Sequence, residues 1–294
     1  MEVTYHENDS LEISDEFLLS PEAEPIRRVA ESLYPSYLSK LLKRKNKIKP
    51  VSIPVLDHDF MRSKEGRWAR ILAETFYAEH IMAEDNIEHT VVFFGSARIT
   101  PKKVIKKGMI DLSRYYNECR TLGKMITEWS LKNGTKKSVQ PFVITTGGGP
   151  AIMEAGNRGA HDAKGKSVGL NITLPMEQNP NPYISPEYNF DFHYFFTRKF
   201  HFSYRAKALV AFPGGYGTFD ELFEILTLIQ TKKISKPCSI VLYGKEFWDK
   251  AVNFDFLVST GVISKSDLKL FHICDDVDTA FKLITTHLKK VLKK

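Results

Sequence analysis

From His89 onward, short apolar runs rich in β-branched and aromatic residues alternate with longer stretches in which apolar residues recur every three or four positions. The first run is Thr90-Val91-Val92-Phe93-Phe94, followed by Phe142-Val143-Ile144-Thr145, Ser167-Val168-Gly169-Leu170, Ala208-Leu209-Val210-Ala211-Phe212 and Ser239-Ile240-Val241-Leu242-Tyr243. Runs of this length predict strands buried on both faces, as in a parallel sheet. Between them, Tyr115, Cys119, Leu122, Ile126 and Trp129 fall on one face of a helix, as do Val277, Ala280, Phe281, Ile284, Leu288 and Val291 near the end. The pattern predicts an α/β fold: a Rossmann-like, doubly wound parallel sheet with helices on both faces, spanning residues 89–294.

The first 88 residues follow a different pattern. Helical stretches at Pro25–Lys45 and Gly66–Glu84 are separated by the proline-marked segment Lys49–Pro54, which predicts an N-terminal helical extension over residues 1–88. In the second stretch Trp68, Ile71, Leu72, Phe76 and Ile81 come near helical spacing. They predict a buried stripe against the main domain or a second subunit.

Composition narrows the class. Hydrophobic residues at 43% and charged residues at 26% of 294 are those of a soluble globular protein. The acidic, polar start does not read as an export signal, and no apolar run approaches the ~20 residues of a membrane-spanning helix, so a cytoplasmic protein is expected. Three cysteines far apart in sequence suit reduced thiols. The nine histidines form no metal-binding spacing, so no metal and no cofactor are expected. A net charge of +7 raises nucleic acid as a partner, but the basic runs at Lys43–Lys47 and Lys289–Lys294 follow helical stretches and lack interleaved aromatics. They read as solvated helix ends, and neither nucleic acid nor membrane is expected as a partner.

Two strands run into glycine-rich turns that open helices: Gly147-Gly148-Gly149-Pro150 and Pro213-Gly214-Gly215-Tyr216-Gly217-Thr218. Such turns bare backbone N–H groups at a positive helix end, a site suited to phosphate. In an open parallel sheet both would lie at the carboxyl edge, where ligands bind. Neither completes the dinucleotide fingerprint, since Ile152 and Asp220 occupy the third glycine positions, and no P-loop lysine follows. Each turn alone is equally consistent with a tight strand-to-helix connection.

Glu221 is expected in the first turn of the second of these helices, within reach of a sugar attached to the bound phosphate. Thr218 and Glu221 also have capping-box spacing, and capping is the better reading of that spacing alone. Glu154 is placed either for ribose hydroxyls or water, or to favour its helix dipole. Ser96 either touches the nucleotide or forms a turn after Gly95.

The stretch from Tyr194 to Lys233 contains Pro213-Gly-Gly-x-Gly-Thr-x-x-Glu221; GGGPAIMEAGNRGA and FFGSARI precede it. In this it resembles the Lonely Guy family of phosphoribohydrolases, in particular its longer bacterial-type members, in order from about His89 to about Leu288. The resemblance implies a Rossmann-like, usually dimeric enzyme. Its reaction would be hydrolysis of the N-glycosidic bond of a nucleoside 5′-monophosphate, AMP or an N6-substituted AMP, to free base and ribose 5-phosphate. It implies catalytic roles for Arg198 and Glu221 and a phosphate loop of Gly214, Gly215, Gly217 and Thr218. Gly95, Ser96, Gly147, Gly148, Gly149, Glu154, Lys199 and Tyr216 complete the expected substrate contacts, with a homodimer or higher homo-oligomer as the assembly. Retaining both Arg198 and Glu221 favours the enzyme over a nucleotide or cofactor carrier on the same fold, such as the molybdenum-cofactor carriers. The lysine decarboxylase label carried by many relatives is set aside, because no pyridoxal-phosphate lysine motif is found.

Overall fold

A computed structural model of the protein describes residues 54–293, apart from 104–107, 109, 175–178 and 235–237. The chain divides into two compact units, Met1–Asp57 and His58–Lys294. The predicted helix at Pro25–Lys45 and the basic run at Lys43–Lys47 lie outside the described residues.

The second unit opens with helices α1 (His58–Arg62) and α2 (Arg67–Glu84). It continues through β1 (His89–Phe94), α3 (Arg114–Lys132), β2 (Phe142–Thr146), α4 (Ile152–Asp162), β3 (Ser167–Ile172), β4 (Asn189–Phe192) and α5 (Phe195–Tyr204). Then follow β5 (Ala206–Ala211), α6 (Tyr216–Gln230), β6 (Ser239–Tyr243), α7 (Lys245–Ala251), α8 (Phe254–Ser259), β7 (Phe271–Cys274) and α9 (Val277–Leu292). The seven strands form one sheet in the order β4-β3-β2-β1-β5-β6-β7, and every pairing is parallel. This is the α/β, doubly wound fold that the alternation of patterns predicted.

The chain winds outward from β1 to β4, then crosses back to lay β5 on the other side of β1. The order of winding reverses there, so a crevice opens beyond the carboxyl ends of β1 and β5. One face of the sheet packs Tyr115, Cys119, Leu122 and Ile126 of α3 together with Ala280, Ile284 and Leu288 of α9. The other packs Leu222 and Ile225 of α6, Trp248 of α7 and Phe202 of α5. Because both faces are covered, the central strands are buried throughout, which is why they read as continuous apolar runs. The side chain of Asp276 accepts from the Thr279 N–H at 2.8 Å and so starts α9, leaving Lys289 and Lys290 in its exposed last turn.

α2 belongs to this core, on which it packs Ile81 of the predicted stripe. Ala78 and Met82 are buried and Ile81 packs beside them, whereas Trp68, Leu72 and Phe76 are 72%, 57% and 65% exposed. The inward orientation follows Glu74 and Glu79, whose carboxylates bond to the end of β4 and to α5. No helix among the described residues is long and apolar enough to cross a membrane.

Candidate active site

A cavity of about 990 Å³ occupies the crevice beyond β1 and β5. Its walls come from the loop after β1, from Gly147 and Met153 of the first glycine-rich turn and α4, from Phe195 and Arg198 of α5, and from residues 214–221. Phe247 of α7 completes it.

The second glycine-rich turn faces this cavity. At Gly214 a Cβ would lie 2.1 Å from Thr218 Oγ1, so packing within the turn requires glycine. At Gly215 and Gly217 a Cβ would meet nothing within 4 Å, and the Gly215 backbone, with φ −97°, suits any residue. Neither the fold nor the backbone therefore demands glycine at these two positions. Their bare backbone leaves room for a ligand to approach the N-terminus of α6, whose first N–H groups lack helical acceptors and carry the positive dipole end. Tyr216 stands beside them, 96% exposed.

The first glycine-rich turn is arranged otherwise. Gly147 lines the cavity, and a Cβ there would fall 2.6 Å from Arg198 Nη2, so its absence makes room for the arginine. Gly148 has φ +73°, and a Cβ would sit 1.9 Å from Asn171 Oδ1. Asn181 Nδ2 donates to the carbonyls of Gly148 and Gly149 at 3.0 and 3.1 Å. These two glycines are buried in an amide network behind the cavity rather than in its wall. Ala151, next in the turn, has φ 61° and ψ −117°, a conformation rare for a residue with a Cβ.

The loop after β1 joins the two turns. The Ser96 N–H donates to Pro213 O at 3.1 Å, and Ser96 O accepts from the Ile152 N–H at 3.3 Å. Its hydroxyl accepts from the Arg98 N–H at 3.0 Å, the turn-forming role, although Gly95 and Ser96 also line the cavity.

Arg198 and Glu221 reach the cavity from two neighbouring helices, α5 and α6. Arg198 Nε donates to Leu170 O at 2.8 Å, and its guanidinium lies 5.1 Å from the centre of the Phe202 ring. Burial pulls its pKa down and the neighbouring Glu221 charge opposes that, yet a guanidinium stays charged at neutral pH. Glu221 is only 7% exposed. Burial pushes its carboxyl up to about 7, against the opposing charges of Arg198 and Lys199.

Glu221 is not in the first turn, as its spacing suggested. The N–H groups of Thr218 and Phe219 both donate to Gly215 O, at 3.0 and 3.1 Å, so α6 already starts at Tyr216 with Gly215 as N-cap and no side-chain cap bond. Thr218 is then the third helical residue and Glu221 the sixth, which leaves no capping box for the pair to close. Two other predicted contacts lie off the cavity wall. Glu154 Oε1 accepts from the Tyr116 hydroxyl at 2.5 Å between α3 and α4. Lys199 Nζ stands 2.8 Å from both Asp220 and Glu224, tying α5 to α6.

The sequence reading missed the apolar part of the wall, Met153, Phe195 and Phe247. For Phe247 the only signal was a third strand-to-helix turn, at Tyr243-Gly244-Lys245, without a glycine-rich motif to draw attention. The cavity thus sets a bare helix N-terminus and a cation beside a buried carboxyl, with apolar side chains also in its lining. That combination offers donors for an anion and apolar contact for a ring.

Comparison with known proteins bears on this geometry. The family described as possible lysine decarboxylase matches residues 153–284. A cytokinin riboside 5′-monophosphate phosphoribohydrolase of Arabidopsis thaliana is 31% identical over 94 residues, 32% of this chain and 44% of that protein. A probable enzyme of the same name from Oryza sativa subsp. japonica is 25% identical over 166 residues, 56% of this chain and 66% of that protein. The chain therefore aligns with only part of each relative's length. Among solved structures, the molybdenum cofactor carrier protein of Chlamydomonas reinhardtii superposes with a TM-score of 0.44 at 18% identity, over 69% of this chain and 99% of that one.

Proposed function

The chain is related to the Lonely Guy family, and from that premise we propose that it hydrolyses the N-glycosidic bond of a nucleoside 5′-monophosphate. AMP or an N6-substituted AMP is the proposed substrate, and free base and ribose 5-phosphate are the products. The observation that carries this reading is Glu221, a buried carboxyl raised to about 7 that faces the same cavity as Arg198 and the bare N-terminus of α6.

In this reading the phosphate rests on the backbone of Gly215 and Gly217 at the positive end of α6. That anchor puts the ribose near the second turn of the helix, where Glu221 projects. As the glycosidic electron pair leaves with the base, positive charge grows on the sugar, which the Glu221 carboxylate stabilises; water adds to the sugar carbon, and the proton it loses, taken up by Glu221 or solvent, returns to the departing base. Arg198, held by Leu170 O and Phe202, offers its remaining donors to phosphate or ribose oxygens. The wall of Met153, Phe195 and Phe247 takes the base.

The same reading has the protein act as a homodimer or higher homo-oligomer. The exposed aromatic side chains of α2 and α5, among them Trp68, Phe76, Tyr77 and Phe196, support it, because monomers rarely leave such patches bare. A reducing, cytoplasmic setting suits the three free cysteines.

Incubating the purified protein with AMP, N6-substituted AMP, other nucleoside monophosphates and adenosine, followed by chromatography for free base, tests the assignment. Base should be released from at least one monophosphate and far more slowly from the matching nucleoside. Equal turnover of adenosine and AMP would remove the phosphate from its role. Tight AMP binding without base release would favour a carrier on this fold.

A further inference from the structure

We propose that Glu74, on α2, is a positioning residue that fixes Arg198 for the reaction by holding the N-terminus of α5; the activity arm of this inference rests on the hydrolase reading. Helix α5 has no cap of its own, since its N-cap Tyr194 makes no side-chain cap bond. An uncapped helix end leaves N–H groups without acceptors and frays. Here the acceptor comes from another helix. Glu74 Oε1 accepts from the His193 N–H at 2.9 Å, and Oε2 accepts from the Tyr194 N–H at 3.2 Å and from the Thr197 hydroxyl at 2.7 Å. Thr197 is 2% exposed and Glu74 half-buried, so the carboxylate reaches from an exposed bond at His193 to one at the buried Thr197. Its negative charge also opposes the positive end of the helix dipole.

Arg198 is the residue immediately after Thr197. Its Nε bonds to Leu170 O of β3 while its guanidinium lies over Phe202 of its own helix, so the bond to β3 is made at the height at which α5 sits against the sheet. Glu74 sets that height at the end of the helix nearest the arginine. The other end is held from the same helix α2: Glu79 accepts from Arg205 Nε at 3.0 Å and Nη2 at 2.6 Å, and the buried His201 Nε2 lies 3.1 Å from Glu74 O. Helix α2 therefore serves as the fixed frame for the helix that carries the cavity's arginine. Displacements of about 1 Å cost on the order of a hundredfold in rate in well-oriented sites, so a joint one residue from Arg198 is where such control would be exerted.

The test is a double-mutant cycle of Glu74→Gln and Arg198→Lys, read as turnover of the best monophosphate and as urea stability. Glu74→Gln keeps the size of the side chain and one acceptor while removing the charge. We expect it to lower kcat about tenfold or more in the wild-type background, and by less than about twofold in the Arg198→Lys background. A merely structural Glu74 would instead give equal losses in both backgrounds, and that result, or unchanged kcat in Glu74→Gln, overturns the proposal. If Glu74→Gln fails to fold, Glu74→Asp, which retains the anion, replaces it in the same cycle with the same two outcomes. A wild-type protein that releases no base from any monophosphate defeats the hydrolase reading alone. Amide hydrogen exchange over residues 193–198 then decides: faster exchange confined to that segment in the variant supports the joint, and unchanged exchange overturns it.

Discussion

At the scale of single residues, the site pairs a group the fold does not favour with positions the fold does not require. Glu221 illustrates the first. Its carboxyl ionises near 4.5 ordinarily and at about 7 in the folded protein. Below pH 4.5 both states are protonated and the group contributes nothing. Between there and about 7 the native state holds the proton more tightly, so stability falls as pH rises, by about 3 kcal/mol once both states have ionised. Glu221→Gln should remove that slope, leaving the variant more stable than the wild type in urea at pH 8 and equal to it at pH 4. Base release should fall at least about a hundredfold in the same variant. In the wild type it should climb as pH rises through about 7, the range in which the carboxylate forms. A folded Glu221→Gln protein with near-normal turnover would remove this residue from the mechanism. Gly215 and Gly217 illustrate the second point. Alanine at either meets open space, so melting should be unchanged while AMP affinity in calorimetry drops about tenfold, equivalent to ~1.4 kcal/mol. Gly148→Ala should do the opposite, costing about 1–3 kcal/mol of stability through its positive φ and the Asn171 contact. Identical thermal and binding behaviour of the three variants would contradict the different roles assigned to the two turns. The sequence could not separate them, because a glycine bared for a ligand and a glycine forced by a neighbouring side chain are the same letter.

At the scale of elements, periodicity revealed what burial dictates and concealed what partners dictate. The strands β1, β2, β3, β5 and β6 were legible because each is covered on both faces. β4 and β7 were not: each has four residues, sits at a sheet edge, and alternates or mixes exposed with buried positions. Helix α2 was legible only in part: of the stripe read as packing on the main domain or on a second subunit, the single chain packs Ile81 on its core. Its largest apolar residues face outward while its inward face is fixed by two carboxylates that only a three-dimensional view can pair with α5. The spacing of Thr218 and Glu221 likewise suggested a cap that the actual start of α6 precludes. Lys199, expected at the substrate, instead joins α5 to α6 through Asp220 and Glu224, and its charge helps hold the Glu221 pKa down against burial. Lys199→Met should therefore move the rise of activity to higher pH, because losing a cation disfavours the carboxylate. The pH profile of kcat checks this. An unmoved rise would show that the Lys199 charge is not felt at Glu221.

At the scale of the whole molecule, the reversal of winding at β1 and β5 brings together a cavity whose walls come from residues as far apart as Phe94 and Phe247. The sequence foretold this edge of the sheet through its two glycine-rich turns, but not that the arginine side of the cavity depends on a helix that precedes β1. The compact unit that contains the cavity runs from His58, and α2 contributes Ala78 and Met82 to its core and Glu74 and Glu79 to its joints. Two truncations should consequently differ sharply. A protein beginning at His58 keeps every contact of this unit, so its cavity should still bind AMP. One beginning at His89 loses three buried apolar side chains, Ala78, Met82 and Ile87, each removal costing ~2–5 kcal/mol for methionine and isoleucine and less for alanine. It also leaves Arg205, His201 and the N-terminus of α5 without their acceptors, at about 1–3 kcal/mol for each uncompensated group. Those losses together rival the ~5–15 kcal/mol by which a domain of this kind is stable. The shorter protein should therefore aggregate or melt far below the longer one by calorimetry and light scattering. If it instead melts at the same temperature, at the same size and with the same AMP affinity, then α2 is a passenger on the domain and the frame assigned to it does not exist.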